Sequence, residues 1–116
     1  MKIFYLAGFG LAGIFARYFL NEFASTYVTF FINLLGSFLI GIVYVLAVER
    51  GALAPEMRTA LMVGLLGGFT TFSAFSLEVA MLVEHGRYFY AVSYLVLSPV
   101  LGVLGAMGGI AAARAF

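Results

Sequence analysis

Four long apolar segments, separated by short polar connections, account for nearly the whole chain. They run from Ile3 to Leu20, from Val28 to Val48, from Arg58 to Val83 and from Phe89 to Ala113. About 20 consecutive apolar residues allow a helix to cross the hydrocarbon core of a bilayer. The pattern therefore predicts an all-α membrane protein with four transmembrane helices, organised as a single domain over residues 1–116.

The connections Asn21–Tyr27, Glu49–Met57 and Glu84–Tyr88 leave no room for a further folded domain. They also divide the basic residues between the two sides of the predicted bundle. Lys2, Arg50, Arg58 and Arg114 fall on the side of the N-terminus, and Arg17 and Arg87 fall on the other side. This division is only a weak bias under the positive-inside rule. It allows insertion in both orientations and hence an antiparallel homodimer.

The third apolar segment contains a stretch that is poorly suited to a lipid-facing helix, Gly67-Gly68-Phe69-Thr70-Thr71-Phe72-Ser73. Adjacent glycines weaken a helix, and each buried hydroxyl needs a hydrogen-bond partner. Irregular backbone at membrane depth persists only where it is buried in protein or lines a cavity. We therefore predict that the third helix is broken at Gly67–Thr71, in the middle of the membrane, and that the break lies at a functional site.

The second segment carries an asparagine at membrane depth. Asn33, Ser37, Gly41 and Tyr44 recur at a spacing that places them on one helical face. The Asn33 amide has two donor hydrogens and an acceptor oxygen that must be satisfied in an apolar environment. Asn33 is therefore expected either to join helices or to face a polar pathway.

Two ionisable residues also fall within the apolar segments. Arg17 either extends to the lipid headgroups or raises the anion concentration in a vestibule. Glu78 follows the hydroxyl-rich stretch, and an ionisable group at that depth is a functional candidate. Both are treated as candidate vestibule or gating residues.

Composition excludes several classes of function. With a mean hydropathy of +1.14 and 9% charged residues, the chain lies far outside the range of soluble proteins. It has no cysteine, a single histidine, His85, and no aspartate, so thiol chemistry and hydrolytic triads have almost no residues to use. The net charge of +1 provides no basic surface for nucleic acid. An enzyme or a nucleic-acid-binding protein is not expected.

Glycines are frequent in the first and last segments. Gly8-x-Gly10-x-x-Gly13 matches a dinucleotide-binding pattern, but no strand precedes it and no acidic residue follows at the required distance. Small residues at helical spacing instead favour close packing between membrane helices, which is also the interpretation of Gly105-x-x-x-Gly109.

Three motifs together resemble the Fluc (CrcB) family of microbial fluoride channels. They are Gly8-x-Gly10-x-x-Gly13-x-x-x-Arg17-Tyr18, Asn33-x-x-Gly36-Ser37-Phe38-x-x-Gly41 and Gly67-Gly68-Phe69-Thr70-Thr71-Phe72-Ser73-x-Phe75-Ser76-x-Glu78. The length and the four-segment layout match as well, so the resemblance covers the whole chain. It implies an antiparallel, dual-topology homodimer with two pores that passively exports fluoride across the bacterial inner membrane.

The resemblance also implies roles for individual residues. Asn33 would be the pore asparagine, and Phe72 and Phe75 would contact fluoride through their ring edges. Gly67 and Thr70 of both subunits would donate backbone carbonyls to a structural sodium ion. The remaining candidates for the fluoride pathway are hydroxyl side chains: Ser73, Ser76, Tyr94 and Ser98. Gly102 stands where some relatives carry another hydroxyl, so the outer end of this polar track is expected to differ.

Hydroxyl and amide groups suit an anion pathway because they donate hydrogen bonds without a charge that would hold the ion tightly. Two alternatives remain. Small multidrug-resistance exporters have a similar length and layout, but they need a glutamate in the first helix, where this chain has no acidic residue in Ile3–Leu20. A non-transporting membrane scaffold explains the glycines and leaves Asn33 and the threonine pair without a role.

Overall fold

The computed structural model describes residues 1–23 and 27–116, and every regular element within these ranges is a helix. Helix α1 covers Lys2–Phe23. Helix α2 covers Val28–Tyr44 and continues into a π-helical turn, Val45–Glu49. Residues 24–26, which belong to the first predicted connection, lie outside the described residues.

The third span consists of two helical halves. Its first half comprises α3 (Pro55–Thr59), a π-helical turn (Ala60–Leu65) and α4 (Leu66–Phe69). Its second half is α5 (Phe72–Glu84). The last span is one continuous helix, α6 (Tyr88–Arg114), which contains Pro99. The four spans are long and apolar enough to cross a membrane, which confirms the predicted layout.

The predicted break is confirmed, but it is shorter than Gly67–Thr71. Only Thr70 and Thr71 leave the helix, with extended φ/ψ values of −86°/157° and −147°/121°. Gly67 and Gly68 are the middle of α4. Gly68 is needed for packing, because a Cβ atom there would lie 2.7 Å from the Gly10 carbonyl oxygen of α1.

The first span pairs with the third, and the second span pairs with the fourth. Helix α1 packs against the first half of the third span, and α2 makes its most extensive contact with α6. Glycines bring the backbones together in both pairs. A Cβ at Gly13 would lie 2.1 Å from the Leu65 carbonyl oxygen, and one at Gly41 would lie 2.2 Å from the Ala106 carbonyl oxygen. The contact at Gly13 supports the packing interpretation, whereas an added Cβ at Gly8 would have no atom within 4 Å among the described residues.

At one end of the α2–α6 pair, two arginines connect the second span to the last one. Arg50 donates from Nη2 to the Ala113 carbonyl over 2.8 Å, so it satisfies a carbonyl in the last turn of α6. Arg114 forms an ion pair with Glu49, and its Nε lies 2.9 Å from Glu49 Oε1. The end of the second span is therefore joined to the C-terminal end of α6.

Two adjacent glycines of α6 provide a matched test of the packing. A Cβ at Gly109 would lie 2.0 Å from the Phe38 carbonyl oxygen, whereas at Gly108 the nearest atom is 3.9 Å away, on the Phe38 ring. We expect Gly109→Ala to destabilise the protein by about 2 kcal/mol through overpacking, as measured by thermal unfolding in detergent. Gly108→Ala should unfold at or slightly above the wild-type temperature because alanine favours helix. Equal melting temperatures for the two variants would contradict this packing.

Candidate functional site

Asn33 bridges the break in the third span with both ends of its amide. Its Nδ2 donates to the Thr71 carbonyl over 3.0 Å, and its Oδ1 accepts the Thr71 N–H over 2.8 Å. The N–H of the extended residue Thr71 has no helical acceptor, so the asparagine oxygen replaces the bond that a continuous helix would make. Of the two roles left open for Asn33, joining helices is therefore directly observed.

This amide pair frees a carbonyl on the first half of the span. In a continuous helix the Thr71 N–H would bond to the Gly67 carbonyl, four residues earlier. It bonds to Asn33 instead. The Thr70 carbonyl loses its helical donor in the same way, because the Ala74 N–H donates to the Thr71 hydroxyl over 3.2 Å. The break thus leaves the Gly67 and Thr70 carbonyls without their helical donors, as it does the carbonyls of Gly68 and Phe69 between them.

Arg17 reaches the break from α1. Its Nε donates to the Gly68 carbonyl over 3.1 Å, and the residue is half-buried. A continuous helix would supply the Phe72 N–H to that carbonyl, so the guanidinium caps the exposed end of α4. A positive charge is favourable there because the carbonyl end of a helix is partially negative. Neither sequence-based interpretation of Arg17 included this contact.

Thr71 itself has a role that the sequence analysis did not assign. Its hydroxyl accepts the Ala74 N–H and caps the N-terminus of α5. The signal was available in the sequence, since a threonine immediately before an apolar helical run is a preferred N-cap. The Thr70 hydroxyl points back to the preceding helix, α4, where it donates to the Leu66 carbonyl over 2.9 Å. Its methyl group lies against Gly36, where a Cβ would come within 2.2 Å.

A cavity of about 550 Å³ lies beside the break. Its polar lining combines amide and hydroxyl groups from three spans with ring and backbone atoms of the third. Its lining includes Asn33, Ser37, Gly67, Thr70, Thr71, Phe72, Phe75, Ser98 and Gly102. No charged side chain is among the described residues that line it. We call it the main cavity.

The N-terminus of α5 opens onto the main cavity, because Thr71, Phe72 and Phe75 all line it. The first N–H groups of a helix have no carbonyl partners within the helix and carry partial positive charge. The cavity therefore combines uncharged donors with a positive helix end. These donors are suited to a small anion.

A second cavity, of about 670 Å³, has Tyr94 in its lining. It is lined by Asn21, Tyr27, Val28, Thr29, Leu77, Glu78, Met81, Leu82, His85, Arg87 and Tyr94. The Tyr94 hydroxyl donates to Glu78 Oε1 over 2.9 Å. The Tyr94 ring stands edge-on to the Phe75 ring, with centroids 4.9 Å apart and an interplanar angle of 89°. The two rings lie between the cavities.

Phe69, Phe72 and Phe75 recur in the sequence at i, i+3 and i+6, which would place them on one face of a continuous helix, but they do not share a face. Phe69 and Phe75 are buried, with 8% and 5% of their surface exposed, whereas Phe72 is 79% exposed. The extended residues Thr70 and Thr71 change the rotation of the chain between the two halves, so helical spacing does not carry across them. The Phe72 and Phe75 rings remain neighbours, with centroids 5.9 Å apart.

The hydroxyl residues predicted to form the fluoride pathway do not all line the same cavity. Ser98 lines the main cavity and Tyr94 the second one, so the predicted polar track on α6 is divided between them. Ser73 Oγ lies 3.2 Å from Thr71 Oγ1. Ser73 and Ser76 are exposed in the single chain and line neither cavity. Gly102 faces Ser37, whose hydroxyl oxygen would lie 3.4 Å from an added Cβ.

Comparison with known proteins gives a consistent result over nearly the full length. A family model described as CrcB-like protein, Camphor Resistance (CrcB), matches residues 4–110. Three similar proteins are each named fluoride-specific ion channel FluC. The one from Rhizobium meliloti (strain 1021) is 45% identical over 87 residues, covering 75% of this chain and 70% of the relative. The one from Rhodospirillum centenum is 46% identical over 91 residues, covering 78% and 72%. The one from Citrifermentans bemidjiense is 37% identical over 121 residues, covering 98% of both.

The amide pair at the break can be tested by substitution. Asn33→Asp keeps an acceptor for the Thr71 N–H but places a carboxylate oxygen against the Thr71 carbonyl. We expect a loss of about 2 kcal/mol in unfolding free energy and faster hydrogen exchange at the Thr71 amide. Ser37→Ala, one turn along the same face, serves as the control because the hydrogen bonds of the described residues include none between Ser37 and Thr71. Unchanged exchange and melting in Asn33→Asp would show that the amide pair does not hold the break.

Proposed function

The chain belongs to the CrcB-like family, and we propose that it is a fluoride-specific channel that allows passive fluoride efflux across a bacterial inner membrane. It is a multi-pass membrane protein, with four spans of 21, 22, 30 and 27 residues. Family membership places it among ion channels rather than enzymes. It also favours the channel over the two alternatives that the sequence left open, a multidrug exporter and a membrane scaffold.

The observation that carries the proposal is the lining of the main cavity. Fluoride is small and strongly hydrated, so a pathway must replace its water with fixed donors. Amide and hydroxyl groups, from residues such as Asn33 and Ser98, can do this. Because the described lining contains no lysine or arginine, the anion would be held only moderately, which conduction requires.

Asn33 can serve the break and the anion at the same time. The amide has two N–H bonds, and the hydrogen bond to the Thr71 carbonyl uses one of them. The second remains for an anion in the main cavity, which Asn33 lines. Phe72 and Phe75 line the same cavity, and the edge of an aromatic ring carries partial positive charge. Asn33, Phe72 and Phe75 are therefore proposed as the anion contacts.

We propose that two chains assemble as an antiparallel homodimer with two pores. In the single chain Phe72 is 79% exposed, and Gly67 is exposed beside it at the break. A second copy of the break would cover both residues and enclose the open side of the main cavity. The weak bias of basic residues between the two sides supports insertion in both orientations.

The residues at the break fit a structural sodium ion in such a dimer. Gly67 and Thr70 line the main cavity, and their carbonyls have lost the helical donors Thr71 N–H and Ala74 N–H. Neutral carbonyl oxygens suit a monovalent cation, whereas divalent ions favour carboxylate ligands. The described residues contain no group of three or more His, Cys, Asp or Glu that could hold a metal. The ion would stabilise carbonyls that the broken helix leaves unpaired.

Phe72 provides the cleanest test of anion contact. Because it is 79% exposed in the single chain, Phe72→Ile should leave the fold of each chain intact. We expect fluoride efflux from liposomes that contain only the wild-type protein, and a decrease of about tenfold in Phe72→Ile through loss of the electropositive ring edge. Phe31→Ile, at another exposed phenylalanine that does not line the main cavity, is the control. An absence of efflux from wild-type liposomes would overturn the channel, and normal efflux in Phe72→Ile would overturn the contact.

Dual topology can be tested by labelling, because the chain contains no cysteine. Ala52→Cys and Glu84→Cys place single thiols at exposed positions near opposite ends of the third span. We expect each variant to react with a membrane-impermeant thiol reagent from both sides of the membrane. Labelling of each thiol from one side only would exclude the antiparallel homodimer.

The sodium site predicts different behaviour for two neighbouring substitutions. Thr70→Ser keeps the backbone ligand, so sodium should raise its melting temperature above that in choline, as in the wild type. Gly67→Leu should lose this sodium-dependent shift. In the single chain the nearest atom to an added Cβ at Gly67 is 3.8 Å away, so the obstruction would arise at the dimer contact. A Gly67→Leu protein that sodium stabilises fully would contradict the site.

A further inference from the structure

Glu78 and Tyr94 form the only pairing of an acidic side chain with a tyrosine hydroxyl among the hydrogen bonds of the described residues. The Tyr94 oxygen lies 2.9 Å from Glu78 Oε1 and is the donor. A phenol has a single O–H hydrogen. While that hydrogen is given to Glu78, Tyr94 has none to give to an anion.

Tyr94 occupies the boundary between the two cavities. Phe75 lines the main cavity and Tyr94 the second one, and their rings meet edge-on. The next hydroxyl along α6, Ser98, lies on the side of the main cavity. An anion that moves along α6 from the main cavity to the second one therefore passes Tyr94, whose hydroxyl is engaged with Glu78.

We propose that Glu78 is a specificity-determining residue, whose carboxylate competes with the passing anion for the Tyr94 O–H. This inference rests on the proposed fluoride channel. Bonds to an ionised acceptor are stronger than those between neutral groups, so an anion must be a strong acceptor to take the hydrogen from Glu78. Fluoride, with the highest charge density among the halides, can do so. Chloride is larger and a weaker acceptor, so it is excluded at this step.

A different role for Glu78, simple repulsion of anions, makes a distinguishable prediction. A negative charge would repel fluoride and chloride whether or not Tyr94 has a hydroxyl. Competition, in contrast, requires both the carboxylate and the O–H. The effect of removing the carboxylate should therefore depend on whether position 94 carries a hydroxyl.

The test measures fluoride and chloride efflux from the same liposomes for Glu78→Gln, Tyr94→Phe and the double variant. Glutamine has nearly the same shape, but its neutral oxygen is a weaker acceptor than a carboxylate. We expect Glu78→Gln to raise the ratio of chloride to fluoride efflux by about tenfold. Tyr94→Phe should slow fluoride efflux, and adding Glu78→Gln to it should leave the ratio unchanged. Glu84→Gln, at an exposed glutamate on the same helix, should behave as the wild type.

Three outcomes would overturn the inference. One is an unchanged ratio in a folded Glu78→Gln channel that still conducts fluoride, and another is an equal rise of the ratio with and without the Tyr94 hydroxyl. If Glu78→Gln does not yield a stable protein, Glu78→Asp replaces it. The shorter aspartate side chain draws the carboxylate away from Tyr94, so this variant should also raise the ratio of chloride to fluoride efflux. An unchanged ratio in Glu78→Asp is the third such outcome. A wild-type protein without fluoride efflux would instead overturn the proposed function on which the inference rests.

Discussion

The Asn33–Thr71 amide pair is the interaction on which the architecture of the site depends. A helix that breaks inside a membrane exposes N–H and C=O groups where water cannot satisfy them, and each such group is costly. Asn33 satisfies both polar groups of Thr71, Arg17 satisfies the Gly68 carbonyl and the Thr71 hydroxyl caps α5. With these partners in place, two extended residues are stable in the middle of a span.

The partners reach the break because glycines bring their helices close to it. On α1, Gly13 allows the backbone to lie against Leu65, and Arg17 follows one turn later. On α2, Asn33 precedes Gly36, which leaves space for the Thr70 methyl group. In both helices a glycine and a polar residue on nearby faces act together. The close-packing glycines are therefore part of the candidate functional site as well as of the fold.

Much of the fold could be predicted from the sequence, because apolar length and helix-breaking residues are local signals. The four spans and the break were correct on this basis. The predicted break was too long, because Gly67 and Gly68 stay helical, and α1 packs against the space left by the missing side chain of Gly68. The helical spacing of Phe69, Phe72 and Phe75 does not place them on one face, because the two extended residues change the rotation of the chain between the helical halves.

The partners of the polar residues were harder to predict, since they depend on which helices become neighbours. The bond from Arg17 to Gly68 joins residues 51 positions apart, and the bonds from Asn33 to Thr71 join residues 38 positions apart. Tyr94 and Ser98 are four residues apart and so lie on one face of α6, but this spacing could not show that the rings of Phe75 and Tyr94 lie between two cavities. These features are set by tertiary packing rather than by helical periodicity.

The interleaved pairing of the spans has a consequence for biogenesis. Because α1 packs on the third span and α2 on α6, the most extensive partner of each early helix is not the next one to be synthesised. The second span is therefore synthesised before the native partner of the Asn33 amide, since Thr71 follows 38 residues later. Helices α2 and α6, with the bonds made by Arg50 and Arg114, can pack together fully only after translation has reached Arg114. Insertion must largely precede folding, and a chaperone or the translocon has the opportunity to shield the exposed asparagine in the interval.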